Sequence, residues 1–204
     1  MVNVRALVAP AGLLVVGVGW HMAALAIAER TAGVFPRVPD VLVDRLPLVH
    51  FGVWGELAFF AFILVFATVL LRRRWHELPK FLALIGLYYA LRGSFLLLVP
   101  IGAPLGAALP VDRFTLYPYA AHAFFPGGHF GLMVLLTLWL PTARFRVWFV
   151  AATLAFGVGT LLAKTHYSAD LLGGALLAYA VYVWGERRGS RWRTLANSVG
   201  EQSG

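Results

Sequence analysis

Long apolar stretches separated by short polar segments dominate the chain. A transmembrane helix needs about 20 mostly apolar residues, and six stretches approach or exceed that length. Most of the charged residues fall in the segments between them. The pattern therefore predicts an all-α bundle of six membrane-spanning helices. The predicted spans are Leu7–Ala28, Leu48–Leu71, Pro79–Val99, Ala123–Leu140, Val147–Ala163 and Ser168–Gly185.

The composition agrees with a membrane protein and excludes other classes. Apolar residues make up 60% of the 204 residues and charged residues 13%, against about 45–50% and 25% in soluble domains. A soluble domain of this size cannot bury that much apolar surface. The same composition excludes a disordered chain. The absence of cysteine excludes a disulfide scaffold and a zinc–thiolate site.

The spans predict a single membrane domain over residues 1–193. A polar segment over residues 194–204 is expected to be a disordered cytoplasmic tail. The first span has flanks like those of a signal peptide, because Arg5 precedes it and small residues lie near its end. Its apolar core is longer than the roughly 7–15 residues of such a peptide. We therefore expect a retained helix. The sequence leaves the oligomeric state open.

The distribution of positive charge predicts the orientation. In a soluble protein the net charge of +8 would suggest a nucleic-acid partner. Here Lys and Arg flank apolar spans, so we expect no nucleic-acid partner. With the N-terminus in the cytoplasm, the inner segments carry 11 of the 17 Lys and Arg residues and the outer segments carry five. Positive charge is enriched in cytoplasmic segments, so both termini are predicted to be cytoplasmic.

Three ionisable residues lie near the outer ends of the last spans, where such groups are costly and mark functional sites. His166 and Asp170 are four residues apart and share a helix face. A carboxylate there can hold one imidazole nitrogen and leave the other to attack. His129, near the outer end of the fourth span, can protonate a leaving oxygen. The alternative is that all three only cap and pack the helix ends.

A second set of ionisable residues lies deeper, in the first three spans. His21, Glu56 and Arg92 are each predicted about 10–12 Å below the outer boundary. This predicts a buried polar layer in which Glu56 and Arg92 pair directly or through one water, on antiparallel neighbouring helices. The pair either fixes helix packing only or belongs to a pocket. A guanidinium also matches phosphate oxygens, so Arg92 is a candidate phosphate ligand, as is Lys164 unless it only flanks its span.

Four short motifs follow one another along most of the chain. They are Pro36–Asp40, Gly86–Arg92, Pro126–His129 and His166–Asp170. They are similar, in order, to Pro-Pro-Leu-Pro-Asp, to a third-span motif ending in Tyr-x-x-Arg, to a motif containing Ser-Gly-His, and to His-Tyr-Thr-x-Asp. With this set of motifs, the chain resembles the type 2 phosphatidic acid phosphatase superfamily, and within it the sphingomyelin synthase-like branch.

The resemblance implies a catalytic mechanism. His166 would attack phosphorus and carry a phosphohistidine-type intermediate, and Asp170 would orient it. His129 would act first as an acid and then as a base. The resemblance implies no metal or cofactor, and the dispersed histidines lack the spacing of a metal-ligand pair. It also implies lipid substrates at the periplasmic or extracellular face.

The resemblance also implies a phosphate-binding set. Gly127 stands where the family has serine, so the backbone N–H groups of Gly127 and Gly128 would replace the lost hydroxyl at a helix N-terminus. Tyr167 belongs to the last motif and is included with them.

The predicted function is cleavage of a phospholipid phosphoester, followed by transfer of the phosphoryl or phospho-headgroup. The acceptor would be a lipid alcohol of the diacylglycerol or ceramide type. One alternative is a lipid phosphate phosphatase with water as acceptor. A second alternative is a non-catalytic lipid-binding or transport protein.

Overall fold

The fold consists of six α-helices and two short 3-10 helices. The computed structural model describes residues 4–31, 35–102, 104, 125–140 and 143–201, and within these ranges there is no β-strand. The helices are α1 (Val4–Thr31), α2 (Trp54–Arg73), α3 (Leu78–Leu98), α4 (Gly128–Trp139), α5 (Ala143–Leu162) and α6 (Ser168–Glu201). The 3-10 helices are Val43–Arg45 and Trp75–Glu77.

The helices are those of an integral membrane protein. Five of them are long and apolar enough to cross a membrane, and α4, with 12 residues, is shorter. Large apolar side chains such as Val15, Leu64 and Trp148 are exposed on the outside of the bundle, as expected for a surface that faces lipid. The predicted all-α polytopic membrane fold is confirmed.

α2 begins later than its predicted span. It starts at Trp54 instead of Leu48, because Gly52 adopts the left-handed conformation with φ 53°. That conformation is incompatible with a continuous right-handed helix. Glu56 therefore lies in the first turn of α2 and not two turns inside it. The predicted depth of Glu56 is wrong for this reason.

Two further boundaries differ from the prediction. α4 begins at Gly128, because the preceding Gly127 has an extended ψ of 112°. The predicted start of this span, Ala123, lies outside the described residues. α6 continues well beyond Gly185, to Glu201. Its helical backbone therefore includes residues 194–201, which the sequence analysis assigned to the tail.

Glycines bring α1 and α3 into direct backbone contact. A Cβ atom at Gly86 would lie 2.5 Å from the carbonyl oxygen of Leu13, and one at Gly17 would overlap the backbone of Gly86. A Cβ atom at Gly93 would lie 2.9 Å from the Cα of His21. Small residues allow this kind of approach between membrane helices. The contact places His21 of α1 beside the second half of α3.

Aromatic side chains fill the core between α2, α3 and α5. Phe66 of α2 stacks on Phe81 of α3 with ring centroids 5.2 Å apart. Phe62 packs edge-on against Phe149 of α5, with centroids 4.7 Å apart. All four rings are buried. These contacts join α2 to both neighbours at the level of the core.

The two ends of the bundle differ in chemistry. The histidine end carries Asp40, His129 and His166. The basic end carries the cationic residues Arg72, Arg73, Arg74, Lys80, Arg144, Arg146, Arg187 and Arg188. At the basic end, Trp139 at the end of α4 donates through Nε1 to Glu77 at 2.9 Å, and its carbonyl accepts from Arg74 at 2.8 Å. These bonds anchor the short α4 at its C-terminus.

Candidate active site

The site is built around the start of α6. His166 precedes the helix and Asp170 lies in its first turn. The Nδ1 of His166 is 3.3 Å from the Oδ2 of Asp170. A carboxylate only accepts, so Nδ1 carries the proton of this contact. The contact predicted from the spacing of the two residues is therefore present, and it orients the imidazole ring.

Asp170 also caps the helix that carries it. Its Oδ2 accepts the backbone N–H of Tyr167 at 2.8 Å, which satisfies one of the donors left unpaired at a helix N-terminus. The side chain is fully buried. One carboxylate oxygen thus serves two tasks, because it fixes the helix start and holds the ring of His166.

The start of α4 is joined to the start of α6. The N–H of Gly127 donates to the backbone carbonyl of Asp170 at 2.9 Å, and a Cβ atom at Gly174 would lie 2.5 Å from the carbonyl oxygen of Gly127. This bond joins the helix start that carries His129, the second residue of α4, to the helix start that carries Asp170. The three predicted residues therefore belong to two helix starts that are bonded to each other.

The same bond corrects one predicted role. The N–H of Gly127 is already used by the carbonyl of Asp170, so its predicted contribution to a phosphate site does not fit the structure. Gly128 has a different constraint, because a Cβ atom there would lie 2.5 Å from the Cζ of Arg92. Only glycine leaves room for the guanidinium at this position.

Arg92 reaches the site from α3 and is 8% exposed. Its Nε donates to the carbonyl of Pro126 at 2.9 Å. Its Nη1 lies 2.6 Å from the Nε2 of His21. Nη2 makes no hydrogen bond with any part of the chain that the structure describes. The guanidinium is thus fixed beside Gly128 by two neutral groups.

His21 lies where the sequence predicted it, close to Arg92. A guanidinium is a donor only, so the ring nitrogen that faces it must be an acceptor and the imidazole must be neutral. The ring is 4% exposed and lies 5.2 Å from the ring of Tyr89, measured between centroids. His21 is therefore the partner of Arg92, a role that was predicted for Glu56.

The direct pairing predicted for Glu56 and Arg92 is not present in the described part of the chain. Among the described residues no ion pair joins them, and the hydrogen bonds of Arg92 go to His21 and Pro126. The late start of α2 removes Glu56 from the predicted depth. α3 packs chiefly along α1, and its ring contact with α2 is the stack of Phe66 on Phe81.

Asp40 belongs to the site, although the sequence did not identify it as a site residue. Its Oδ2 accepts the N–H of Ser168 at 2.6 Å and the hydroxyl of Ser168 at 2.8 Å, while Oδ1 accepts the N–H groups of Leu42 and Val43 at 3.0 Å. Burial raises the pKa of Asp40, but the hydrogen bonds from Val43 and Ser168 outweigh it, so the pKa lies below its ordinary value. The segment between α1 and α2, which is described over residues 35–53 and is called the first connecting segment below, is thus tied to α6.

Tyr167 and Lys164 flank this contact. The hydroxyl of Tyr167 accepts the N–H of Val38 at 3.3 Å, and burial raises the pKa of this tyrosine. Lys164 lies in the turn between α5 and α6 with φ 54°, a conformation that is uncommon for residues other than glycine. The predicted contacts of both residues with phosphate stay predictions.

A cavity of about 480 Å³ lies between the first connecting segment and the start of α6. Its lining is mostly apolar, with Arg45, Tyr167 and Ser168 among the polar residues. No group of three or more His, Asp or Glu side chains within the described ranges is arranged to hold a metal ion.

No protein family model, curated protein or solved structure matches the chain. The fold and the site define an all-α polytopic membrane protein with a buried cluster of histidine, arginine and aspartate at one end of its bundle.

Proposed function

We propose that the protein is a membrane enzyme that processes lipid phosphoesters, with His166 as the nucleophile. The observation that carries the proposal is the hydrogen bond from His166 Nδ1 to the buried Asp170, whose helix start is bonded to the one that carries His129. A carboxylate that fixes one nitrogen of an imidazole directs the other nitrogen toward a substrate. The resemblance to the sphingomyelin synthase-like branch supports the same assignment.

The first step forms a covalent intermediate. The Nε2 of His166 attacks phosphorus, a phosphorus–nitrogen bond forms, and the bond from phosphorus to the leaving oxygen breaks. His129 donates a proton to that oxygen as it leaves. Asp170 stabilises the positive charge that develops on His166, because its carboxylate stays bonded to the Nδ1 proton.

The second step transfers the group. An acceptor alcohol on a diacylglycerol- or ceramide-type lipid attacks the phosphorus, the phosphorus–nitrogen bond breaks, and His129 takes the proton of the alcohol. His166 returns to its neutral form. Every proton that moves is held by a residue of the chain or by a substrate oxygen, so the cycle balances without a metal or cofactor.

Arg92 supplies the proposed phosphate contact. Its two hydrogen-bonded partners, His21 and the Pro126 carbonyl, are neutral and do not balance its charge. A phosphate bound to Nη2 would balance the charge and bring phosphorus between Arg92 and the two catalytic histidines.

We further propose that the histidine end faces the periplasm or the extracellular space. The excess of Lys and Arg in the segments of the basic end supports this orientation. Both termini are then cytoplasmic. The lipid substrates are those of the outer leaflet.

Vesicle assays with a matched pair of variants test the function. Purified protein is placed in phospholipid vesicles that contain diacylglycerol and ceramide, and transfer products and released headgroups are followed by mass spectrometry. We expect wild type to transfer the headgroup, also in the presence of EDTA, and His166→Ala to lose turnover and the covalent phosphoenzyme. His76→Ala is the control, because its side chain is 66% exposed at the basic end.

The other outcomes separate the alternatives. Release of phosphate or headgroup without transfer would identify a phosphatase that uses water. A labelled intermediate that survives His166→Ala would show that the nucleophile is a different residue. A folded wild-type protein that binds lipids but turns over none would identify a lipid-binding protein.

A further inference from the structure

We propose that Asp40 is a positioning residue for His166. It holds the first connecting segment against the start of α6 and thereby sets the position of the imidazole ring. The inference rests on the proposed role of His166, and it adds a residue from a distant part of the chain to that site.

The two carboxylate oxygens of Asp40 accept hydrogen bonds from different parts of the chain, one local and one distant. Oδ1 accepts the N–H groups of Leu42 and Val43, which closes a turn in its own segment. Oδ2 accepts both the N–H and the hydroxyl of Ser168, 128 residues away along the chain. The side chain is 7% exposed. The local turn fixes the orientation of the carboxylate, and the distant bonds depend on that orientation.

His166 lies two residues before Ser168, where α6 begins, so a shift of this helix start also moves the backbone that carries the imidazole. The N–H of Tyr167 is held by Asp170 and the N–H of Ser168 by Asp40. Two carboxylates, one from the helix and one from another segment, thus satisfy successive donors at this helix start.

A second bond runs parallel to the first. The N–H of Val38 donates to the hydroxyl of Tyr167 at 3.3 Å. The segment is therefore joined to the start of α6 at two neighbouring residues, Tyr167 and Ser168. Loss of Asp40 would leave the N–H of Ser168 without its acceptor and allow the first turn of α6 to shift, together with the ring of His166.

Asp40→Asn tests the proposal and Asp44→Asn is its control. An asparagine has one acceptor oxygen, so in either orientation it abandons the donors of Ser168 or those of Leu42 and Val43. Asp44 is exposed, lies in the same segment and accepts the N–H of Asp40. Its bond stays within its own segment, so Asp44→Asn removes the same charge without removing a bond to α6.

In the vesicle assay we expect Asp40→Asn to lower kcat by about 10- to 100-fold, the scale of a misplaced catalytic group. KM should change less than about twofold, because Asp40 is not placed at the phosphate. Asp44→Asn should keep the wild-type kcat. Equal loss in both variants, or a wild-type kcat in Asp40→Asn, would overturn the proposal.

A readout that needs no turnover separates this inference from the proposed function. In protein labelled with ¹⁵N-histidine, the signals of His166 are assigned by their loss in His166→Gln. We expect wild type to hold His166 in the tautomer with the proton on Nδ1, and Asp40→Asn to show a mixture of tautomers. Unchanged His166 signals in a folded Asp40→Asn protein contradict positioning, whatever the activity.

Ser168→Ala covers the case in which Asp40→Asn fails to fold. It deletes only the hydroxyl bond to Asp40 and keeps the bond from the backbone N–H. We expect a smaller fall in kcat, about two- to tenfold, with a partial loss of the tautomer preference. Wild-type kcat and wild-type His166 signals in Ser168→Ala would count against the proposal. Absence of turnover in wild type would count only against the proposed function.

Discussion

The two carboxylate oxygens of Asp170 differ in their hydrogen bonding. Oδ2 contacts both His166 and the N–H of Tyr167, whereas Oδ1 is the single buried side-chain polar atom with no hydrogen-bond partner in the part of the chain that the structure describes. Unsatisfied buried atoms are rare, and a catalytic role is one of the explanations for them. The concentration of contacts on one oxygen agrees with a carboxylate whose task is to hold the ring of His166.

The lowered pKa of Asp40 predicts an acid-sensitive fold. Folding favours the carboxylate, so its contribution to stability is complete above the ordinary pKa and is lost as pH falls through the lowered value. Between pH 7 and 3, the Tm of wild type should therefore fall more steeply below about pH 4 than that of Asp40→Asn. Tryptophan fluorescence in detergent micelles measures both curves. Parallel curves would contradict the prediction.

The contacts of the two carboxylates in the site were not equally predictable from the sequence. The contact of Asp170 with His166 follows from a spacing of four residues, which is a local pattern. Asp40 meets Ser168 across 128 residues, and no periodicity connects positions so far apart. The motif Pro36–Asp40 singled out Asp40, but it did not indicate that Ser168 is its partner.

The helices themselves were predictable from hydrophobic length, but their ends were not. The start of α2 depends on the left-handed φ of Gly52, and that of α4 on the extended ψ of Gly127. A shift of six residues was enough to move Glu56 from the predicted polar layer to the first turn of α2. His21 was placed correctly, because α1 is continuous through this level.

A pair of glycines two residues apart tests the contact between α1 and α3. Gly17→Ala forces a methyl group onto the backbone of Gly86 and should lower the free energy of unfolding by about 1–3 kcal/mol. Gly19 is exposed with nothing within 4 Å of its added Cβ, so Gly19→Ala should leave stability unchanged or slightly higher. Unfolding of the purified protein in mixed micelles compares them. Equal effects would show that the close contact is absent.

At the scale of the whole molecule, the proposed orientation is directly measurable because the chain has no cysteine. Val41 is 71% exposed at the histidine end, and His76 has a 66% exposed side chain at the basic end. In intact cells, a membrane-impermeant maleimide should modify Val41→Cys and leave His76→Cys unmodified until the membrane is permeabilised. The reverse pattern would invert the topology.

The bond between Asp40 and Ser168 joins two parts of the chain that are synthesised at different times. A ribosome adds roughly 5–20 residues per second, so the first connecting segment waits roughly 6–25 s for a partner that lies 128 residues later. Until then the chain has neither the imidazole of His166 nor the helix start that holds it. Under the proposed function, a nascent chain that has not yet reached α6 therefore lacks its nucleophile and cannot act on the lipids around it.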